Sequence, residues 1–211
     1  NCPVADMFCL CCKEDFELKS ISKCFGKCIT DGAYESMIER LLSSNNPNLF
    51  LLQYDKIQWS VINFVAVPKY FFSPEIIVKR PPLVSSARRS GWIGCNIVLD
   101  NIPSIGKIPL INNRFEKNKK SVLSAWRRTE FLKENSDISA RSWLLVTMHC
   151  IECLAKKEFS LDEIYSFEES LRIKFPTNKH IKAKLRQQLQ VLRDIGYLDF
   201  IAKGIYRLTA Q

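Results

Sequence analysis

Asp6-Met7-Phe8-Cys9-Leu10-Cys11-Cys12-Lys13-Glu14-Asp15-Phe16-Glu17-Leu18-Lys19 is the stretch on which the reading of the fold turns. Glu17 and Lys19 stand two apart, so on a β-strand they share one face while Leu18 turns toward the core. Asp6 and Glu17 together offer carboxylate oxygens to a hard divalent cation, and Lys19 beside them is placed to orient or deprotonate an attacking water. Two carboxylates and an amine in this order are the parts of a metal-dependent phosphodiesterase. The competing reading is a solvated strand or helix face, where acidic-x-Lys triplets are common and inert.

The spacer between the carboxylates carries Cys9 and Cys12 as a C-x-x-C pair, which is half of a four-ligand zinc (Zn²⁺) site. Cys2 offers a third thiolate, and Cys24 with Cys28, spaced C-x-x-x-C, offers a way to complete the set. The alternative leaves Cys9, Cys11 and Cys12 as buried or redox-inert thiols.

The chain has 211 residues, enough for one large domain or two small ones, and its 46% hydrophobic content is ample for a packed core. No run approaches the roughly 18 apolar residues of a membrane span, and the greasiest stretches, such as residues 61–67, have the length of strands. Nine cysteines, an odd number unevenly spread, fit a reducing compartment with metal binding better than a disulfide framework. A net charge of +9 attracts polyanions, nucleic acid first. An anionic membrane surface would call for a free basic amphipathic helix, whereas the helical patterns here read as parts of a folded core.

Residues 1–135 read as a mixed α/β layer structure. Residues 16–20 form a strand. Residues 32–43 repeat at helical period, with Tyr34, Met37, Ile38, Leu41 and Leu42 on one side. Asn45-Asn46-Pro47-Asn48 breaks the chain, and residues 49–54 and 61–67 are adjacent strands of a central sheet. Residues 81–95 form a loop stiffened by Pro81 and Pro82, with Arg88, Arg89 and Trp92 as candidates for phosphate and base contact. Trp92 has a second reading as an ordinary core residue. Residues 112–135 turn polar and basic and read as a connector.

Residues 136–211 give helices at 139–155, 161–174 and 179–193, then strands at 197–202 and 205–209 joined at Lys203-Gly204. Ser160 with Glu163 forms a capping box for the second helix, Pro176 stops it, and Gly196 closes the third. This is the order of a winged helix. On the third helix Ile181, Leu185, Leu189 and Leu192 form a buried stripe. Lys179, His180, Lys182, Lys184, Arg186, Gln187 and Gln190 supply the side-chain types that contact phosphates and read purine edges in the major groove. The alternative is a solvated basic face on a protein-binding winged helix.

The run Asn1-Cys2-Pro3-Val4-Ala5-Asp6, then Cys9-x-x-Cys12, then Phe16-Glu17-Leu18-Lys19-Ser20 resembles the active-site segment of the DpnI family of methyl-directed type II restriction endonucleases. The likeness continues through Asp31-Gly32-Ala33-Tyr34, Asn45-Asn46-Pro47-Asn48, Ala87-Arg88-Arg89, Gly91-Trp92-Ile93-Gly94-Cys95-Asn96, His180-Ile181-Lys182 and Arg186-Gln187-Gln188-Leu189-Gln190, and so spans nearly the whole chain. It implies a PD-(D/E)xK nuclease-like mixed sheet with a zinc site at residues 1–135, followed by a winged-helix DNA-binding domain at 136–211. It further implies Asp6, Glu17 and the Leu18 carbonyl as ligands of magnesium (Mg²⁺), and Asp6, Glu17 and Lys19 as the catalytic set. The implied substrate is duplex DNA at GATC carrying N6-methyladenine, with Trp92 lining a methyl-sensing pocket, a slot that discriminates by about 1–3 kcal/mol. A further C-x-x-C, a helix and a strand would precede Asn1. The chain is therefore expected to be part of a longer protein that completes the zinc site around Cys9 and Cys12. A monomer in a prokaryotic cytoplasm is the expected setting.

Two other functions compete. One is a non-catalytic winged-helix and zinc reader of methylated DNA, against which the joint presence of Asp6, Glu17 and Lys19 argues. The other is an RNA-binding or repair protein built on the same nuclease scaffold.

Overall fold

The computed structural model describes residues 5–43, 46–133 and 137–209. The chain divides into two compact units, Asn1–Ile138 and Ser139–Gln211.

In the first unit, β1 (Met7–Phe8) turns back into β2 (Asp15–Ile21), and β3 (Cys28–Ala33) runs directly into α1 (Tyr34–Leu42). Then follow β4 (Asn48–Asp55), β5 (Ser60–Val67), β6 (Ile77–Lys79), β7 (Gly94–Val98), β8 (Ile108–Asn112), β9 (Phe115–Glu116) and α2 (Lys119–Arg127). Six strands form one sheet in the order β1-β2-β4-β5-β8-β9, and β3-β7-β6 form a second. Only a crossover lets two strands run parallel. β2 and β4 are the parallel pair, and β3 with α1 is their crossover. That connection brings the second sheet beside the end of the first.

The strands form where apolar residues alternate or run together. Leu49 and Leu51 of β4 are buried on one face, while Phe50 meets Phe16 of β2 in a stacked pair at 4.8 Å on the other. Leu41 of α1 and Ile97 of β7 complete the core around the crossover. Buried Asn48 ties the start of β4 in place: its Nδ2 donates to the Asp15 carbonyl at 3.2 Å and its Oδ1 accepts from Lys69 N at 2.9 Å.

Several expectations change here. Residues 112–133 are not a connector. They carry the end of β8, β9, α2 and a 3₁₀ turn at Glu130–Leu132 whose Leu132 is fully buried. Asn118 caps α2 by accepting from Lys120 N at 2.8 Å, and Trp126 meets Phe16 at 6.3 Å. Of the basic residues that suggest a linker, Lys119, Lys120 and Arg127 are exposed on this amphipathic helix. Gly32 and Ala33 end a strand instead of starting a helix, and Leu42, placed on the core side by its spacing, is 59% exposed because α1 ends there. Asn45 and Asn135 lie outside the described residues.

The second unit comprises α3 (Ile138–Cys153), β10 (Glu158–Ser160), α4 (Leu161–Tyr165), α5 (Glu168–Lys174), α6 (Ile181–Asp194), β11 (Leu198–Ala202) and β12 (Ile205–Leu208), with sheet order β10-β12-β11. α3 is its central helix, buried at Trp143, Leu144, Leu145, Met148 and Ile151. The single helix expected over 161–174 is broken into α4 and α5 at Ser166–Phe167, which sends Ile164 and Leu171 separately into the core. The capping box forms as its spacing requires: Ser160 Oγ accepts from Glu163 N at 3.2 Å, and Glu163 Oε2 accepts from Ser160 N at 2.8 Å. β10 closes the wing sheet. At the wing tip Gly204 adopts φ +73, which favours glycine.

Candidate active site and nucleic-acid interface

β2 puts Glu17 and Lys19 on the face backed by buried Leu49 and Leu51, their partners in the parallel register. Lys19 Nζ lies 2.5 Å from Glu17 Oε1 and 2.7 Å from Oδ1 of Asp31, which arrives from β3. The three side chains are 23%, 23% and 11% exposed, so the cluster is screened but still open to solvent. Asp31 Oδ1 also accepts from Gly32 N at 2.7 Å, which fixes its orientation. Burial pulls the Lys19 ammonium down, and the hydrogen bonds and charges of Asp31 and Glu17 more than offset it, leaving its pKa raised. In this arrangement Lys19 stays charged, suited to orienting a nucleophile or stabilising negative charge more than to taking a proton.

Asp6 reaches the same segment from the opposite edge of β2, its Oδ2 accepting from Leu18 N at 2.7 Å. In an extended strand a residue's N–H and C=O point to the same side. The Leu18 carbonyl is therefore directed to the edge where Asp6 sits. Glu17 and Asp31 surround one Lys19, and Asp6 adds a third carboxylate on the adjoining Leu18 peptide. The cluster's donor set of carboxylate and carbonyl oxygens matches what a hard cation takes. Among the described residues no three His, Cys, Asp or Glu side chains converge as a ready-made metal cage.

Sequence spacing gives Asp31 no role, although it lies in a stretch that carries the resemblance. Glu17 and Asp31 also line a small cavity with Met37, Arg40 and Leu41 of α1, and Arg40 there is a further charged neighbour.

The β1–β2 turn brings Cys9 and Cys12 together. Cys9 N donates to the Glu14 carbonyl at 3.0 Å and Lys13 N to the Cys9 carbonyl at 2.8 Å, with Lys13 in the left-handed region at φ 58. The Cys9 thiol is shifted down by the Cys12 backbone N–H first, then by the Cys12 side chain and the Cys11 N–H. The Cys12 thiol is pushed up, by burial first and then by Cys9. Amides aimed at one sulfur favour its thiolate, the form that binds metal. Cys24 and Cys28 do not join them. They follow the other end of β2, and a seven-residue strand at about 3.3 Å per residue separates its ends by roughly 20 Å. Cys2 lies outside the described residues. Cys95 and Cys150 are buried, their thiols pushed up by burial to about 11 and about 12.

Between β6 and β7 the chain makes an excursion closed by its own backbone: Leu83 N donates to Trp92 O at 2.9 Å, Gly91 N to Leu83 O at 3.0 Å and Trp92 N to Arg89 O at 3.0 Å. Arg88 and Arg89 are exposed on it. Trp92 is half-buried and lies so close over Gly94 that a Cβ there would come within 2.8 Å of the indole ring. It is neither a core residue nor a free aromatic.

In the second unit Ile181, Leu185, Leu189 and Leu192 are buried, as their spacing requires, and Gln188 joins them. Arg186, Gln187 and Gln190 are exposed on the opposite face of α6, with Lys182 and half-buried Lys184 along its borders. Lys182 Nζ is drawn to Glu168 Oε2 at 3.4 Å and lies 5.4 Å from the Tyr165 ring. Lys179 and His180 do not lie on the helix. His180 is its N-cap residue and Lys179 precedes it, because Asn178 Oδ1 accepts from His180 N at 2.8 Å and turns the chain there. Both are exposed beside the helix start.

No helix among the described residues is long and apolar enough to cross a membrane. The model of the DpnI, Dam-replacing family matches residues 1–135. A second model, the Dam-replacing HTH domain, matches residues 139–208 and covers the winged helix. With a mixed α/β sheet unit followed by a helix-turn-helix unit, and both matched in that order, the chain belongs to the DpnI, Dam-replacing family.

Proposed function

We propose that the chain is the catalytic and DNA-reading part of a methylation-dependent restriction endonuclease, which hydrolyses duplex DNA at GATC sites carrying N6-methyladenine with Mg²⁺. The observation that carries this reading is the cluster on β2, where Glu17, Lys19 and Asp31 converge and Asp6 anchors on the peptide next to Glu17. A surface ion pair needs none of this. An arrangement of carboxylates around one held ammonium, half-screened from water, suits hydrolysis of a phosphodiester.

The residues fit a PD-(D/E)xK assignment, with Asp6 as the first acid and Glu17-Leu18-Lys19 as the second motif. Asp6, Glu17 and the Leu18 carbonyl would hold Mg²⁺, which when bound supplies charge neutralisation and an activated water. Lys19, held between Glu17 and Asp31, would stabilise the negative charge that develops on the phosphate. Cys9 and Cys12 would give two thiolates to a structural Zn²⁺. Arg88 and Arg89, exposed on the excursion between β6 and β7, would contact phosphates, and the half-buried Trp92 would offer an apolar wall to a methyl group. Arg186, Gln187 and Gln190 of α6 present the donors and acceptors that read purine edges, with Lys182, Lys184, Lys179 and His180 beside them for phosphates.

The test is cleavage of two plasmids that differ only in adenine methylation at GATC, in Mg²⁺, with an Asp6→Ala control. Cutting of the methylated plasmid alone, lost in the control, is the expected result. Tight binding of the methylated duplex with neither plasmid cut would make the chain a non-catalytic reader and end the enzyme reading.

A further inference from the structure

On the side of Lys19 away from α1, β2 and the β2–β3 loop enclose an open groove of about 550 Å³. Lys19, Lys23 and Lys56 line it together with Ser20, Thr30 and Tyr54, and among the described residues no acidic side chain lines it. Lys19 is held by Glu17 and Asp31 at the inner end, so the groove's attraction for a phosphodiester backbone comes from the exposed Lys23 and Lys56 beside the Ser20 and Thr30 hydroxyls.

The groove ends at the β4–β5 turn, and that turn is built for display. Ile57 and Trp59 are 91% and 84% exposed. The turn is nonetheless locked. Asp55 Oδ1 accepts from Ile57 N at 2.8 Å and Gln58 N at 3.1 Å, and Arg114 donates to Gln58 Oε1 at 2.6 Å and Asp55 Oδ2 at 2.8 Å. Trp59 stands at φ 48, where a bulky side chain is strained, and its ring stacks over Tyr54 at 6.3 Å. A strained backbone that holds a large aromatic in water gives the fold little, whereas a rigid aromatic at the mouth of a basic groove suits nucleic acid.

We propose that this groove is a second DNA track in the first unit. It seats the backbone of the strand that flanks the reacting phosphate, with Lys23 and Lys56 on phosphates and the Tyr54–Trp59 pair against a sugar or base at its outer end. The inference rests on the nuclease reading above, since it takes Lys19 as marking the reacting end.

Cys24 and Cys28 line the groove and are exposed free thiols, so they report its occupancy without any cleavage. The full chain is mixed with a GATC-methylated duplex with no Mg²⁺ added. Binding is followed by fluorescence anisotropy, and alkylation of each cysteine by peptide mass spectrometry. Saturating duplex should slow alkylation of both thiols several-fold. The Lys23→Gln/Lys56→Gln double variant should lower the slope of log K against log salt by about 1.8, at about 0.9 per phosphate contact. Duplex that binds while both thiols react as in the free protein, with the slope unchanged, overturns the groove and leaves the nuclease reading standing. Failure to bind any duplex overturns both.

Discussion

The two units hold their charges in opposite ways. In the first, Glu17, Lys19 and Asp31 converge from two strands of different sheets into a half-screened cluster with contacts of 2.5 and 2.7 Å. In the second, Arg186, Gln187 and Gln190 diverge from one exposed helix face, and Lys182 at its border pairs with Glu168 at 3.4 Å. Chemistry needs groups fixed against one another before substrate arrives, because reorganisation during reaction raises the barrier. Reading a sequence needs groups left to the partner, since a donor already satisfied inside the protein has nothing to offer a base edge. Substitutions in the cluster on β2 should therefore change the rate of cutting on bound DNA, and substitutions on α6 should change binding.

The largest separation is expected from Asp6→Ala and Glu17→Ala, which should take cleavage to background while anisotropy shows duplex binding within about twofold of wild type, a mutation of surface-reading groups having been avoided. Loss of binding in parallel with loss of cutting would show that the cluster holds DNA instead of acting on it. Lys19→Ala should follow, lowering the single-turnover rate on the order of 10²–10³-fold, the scale of a lost donor to developing charge. Asp31→Asn sharpens the comparison. It keeps the shape but weakens the hold on Lys19, and the expected cost is about 10–100-fold in rate, typical of residues that orient a reacting group, with no change in affinity.

On the other side of the comparison, Gln190→Ala or Arg186→Ala should cost about 1–3 kcal/mol in discrimination between the methylated site and a single-base mismatch. Lys182→Ala should do less, because Glu168 already holds that ammonium. The smallest effect concerns pH. A hydrogen bond from Lys156 at 2.5 Å, and then one from Ser160 N, hold the Glu163 carboxyl at about 2, down from its ordinary 4.5. A depressed acid contributes stability that is fully present above pH 4.5 and is lost as pH falls through about 2. Acid titration of the second unit followed by circular dichroism should show this loss. In Glu163→Gln the contribution below pH 4.5 should be flat.

The same contrast explains what could be read from the sequence. α6 was legible because its stripe of Ile181, Leu185, Leu189 and Leu192 is a local signal, and the Ser160–Glu163 cap is written in three residues of spacing. Glu17 and Lys19 were legible for the same reason, since the period of a strand alone puts them on one face. Asp31 was not. It meets Lys19 only because the β3–α1 crossover folds a second sheet against the first, and no periodicity encodes that approach. α2 does not show in the sequence because its charged outer face dominates its composition, while the contact that docks it, Trp126 against Phe16, is long-range. Grouping Cys24 and Cys28 with Cys9 and Cys12 failed similarly. Spacing suits four ligands, and the length of β2 forbids it.

The proposed division between a reacting cluster on β2 and a reading face on α6 is tested most directly by single-turnover cleavage of a GATC-methylated duplex across a range of enzyme concentrations, comparing Asp31→Asn with Arg186→Ala. The account predicts that Arg186→Ala reaches the wild-type rate once enzyme is saturating, while Asp31→Asn stays slow at every concentration. An Asp31→Asn rate restored by concentration, with Arg186→Ala slow at saturation, would contradict it.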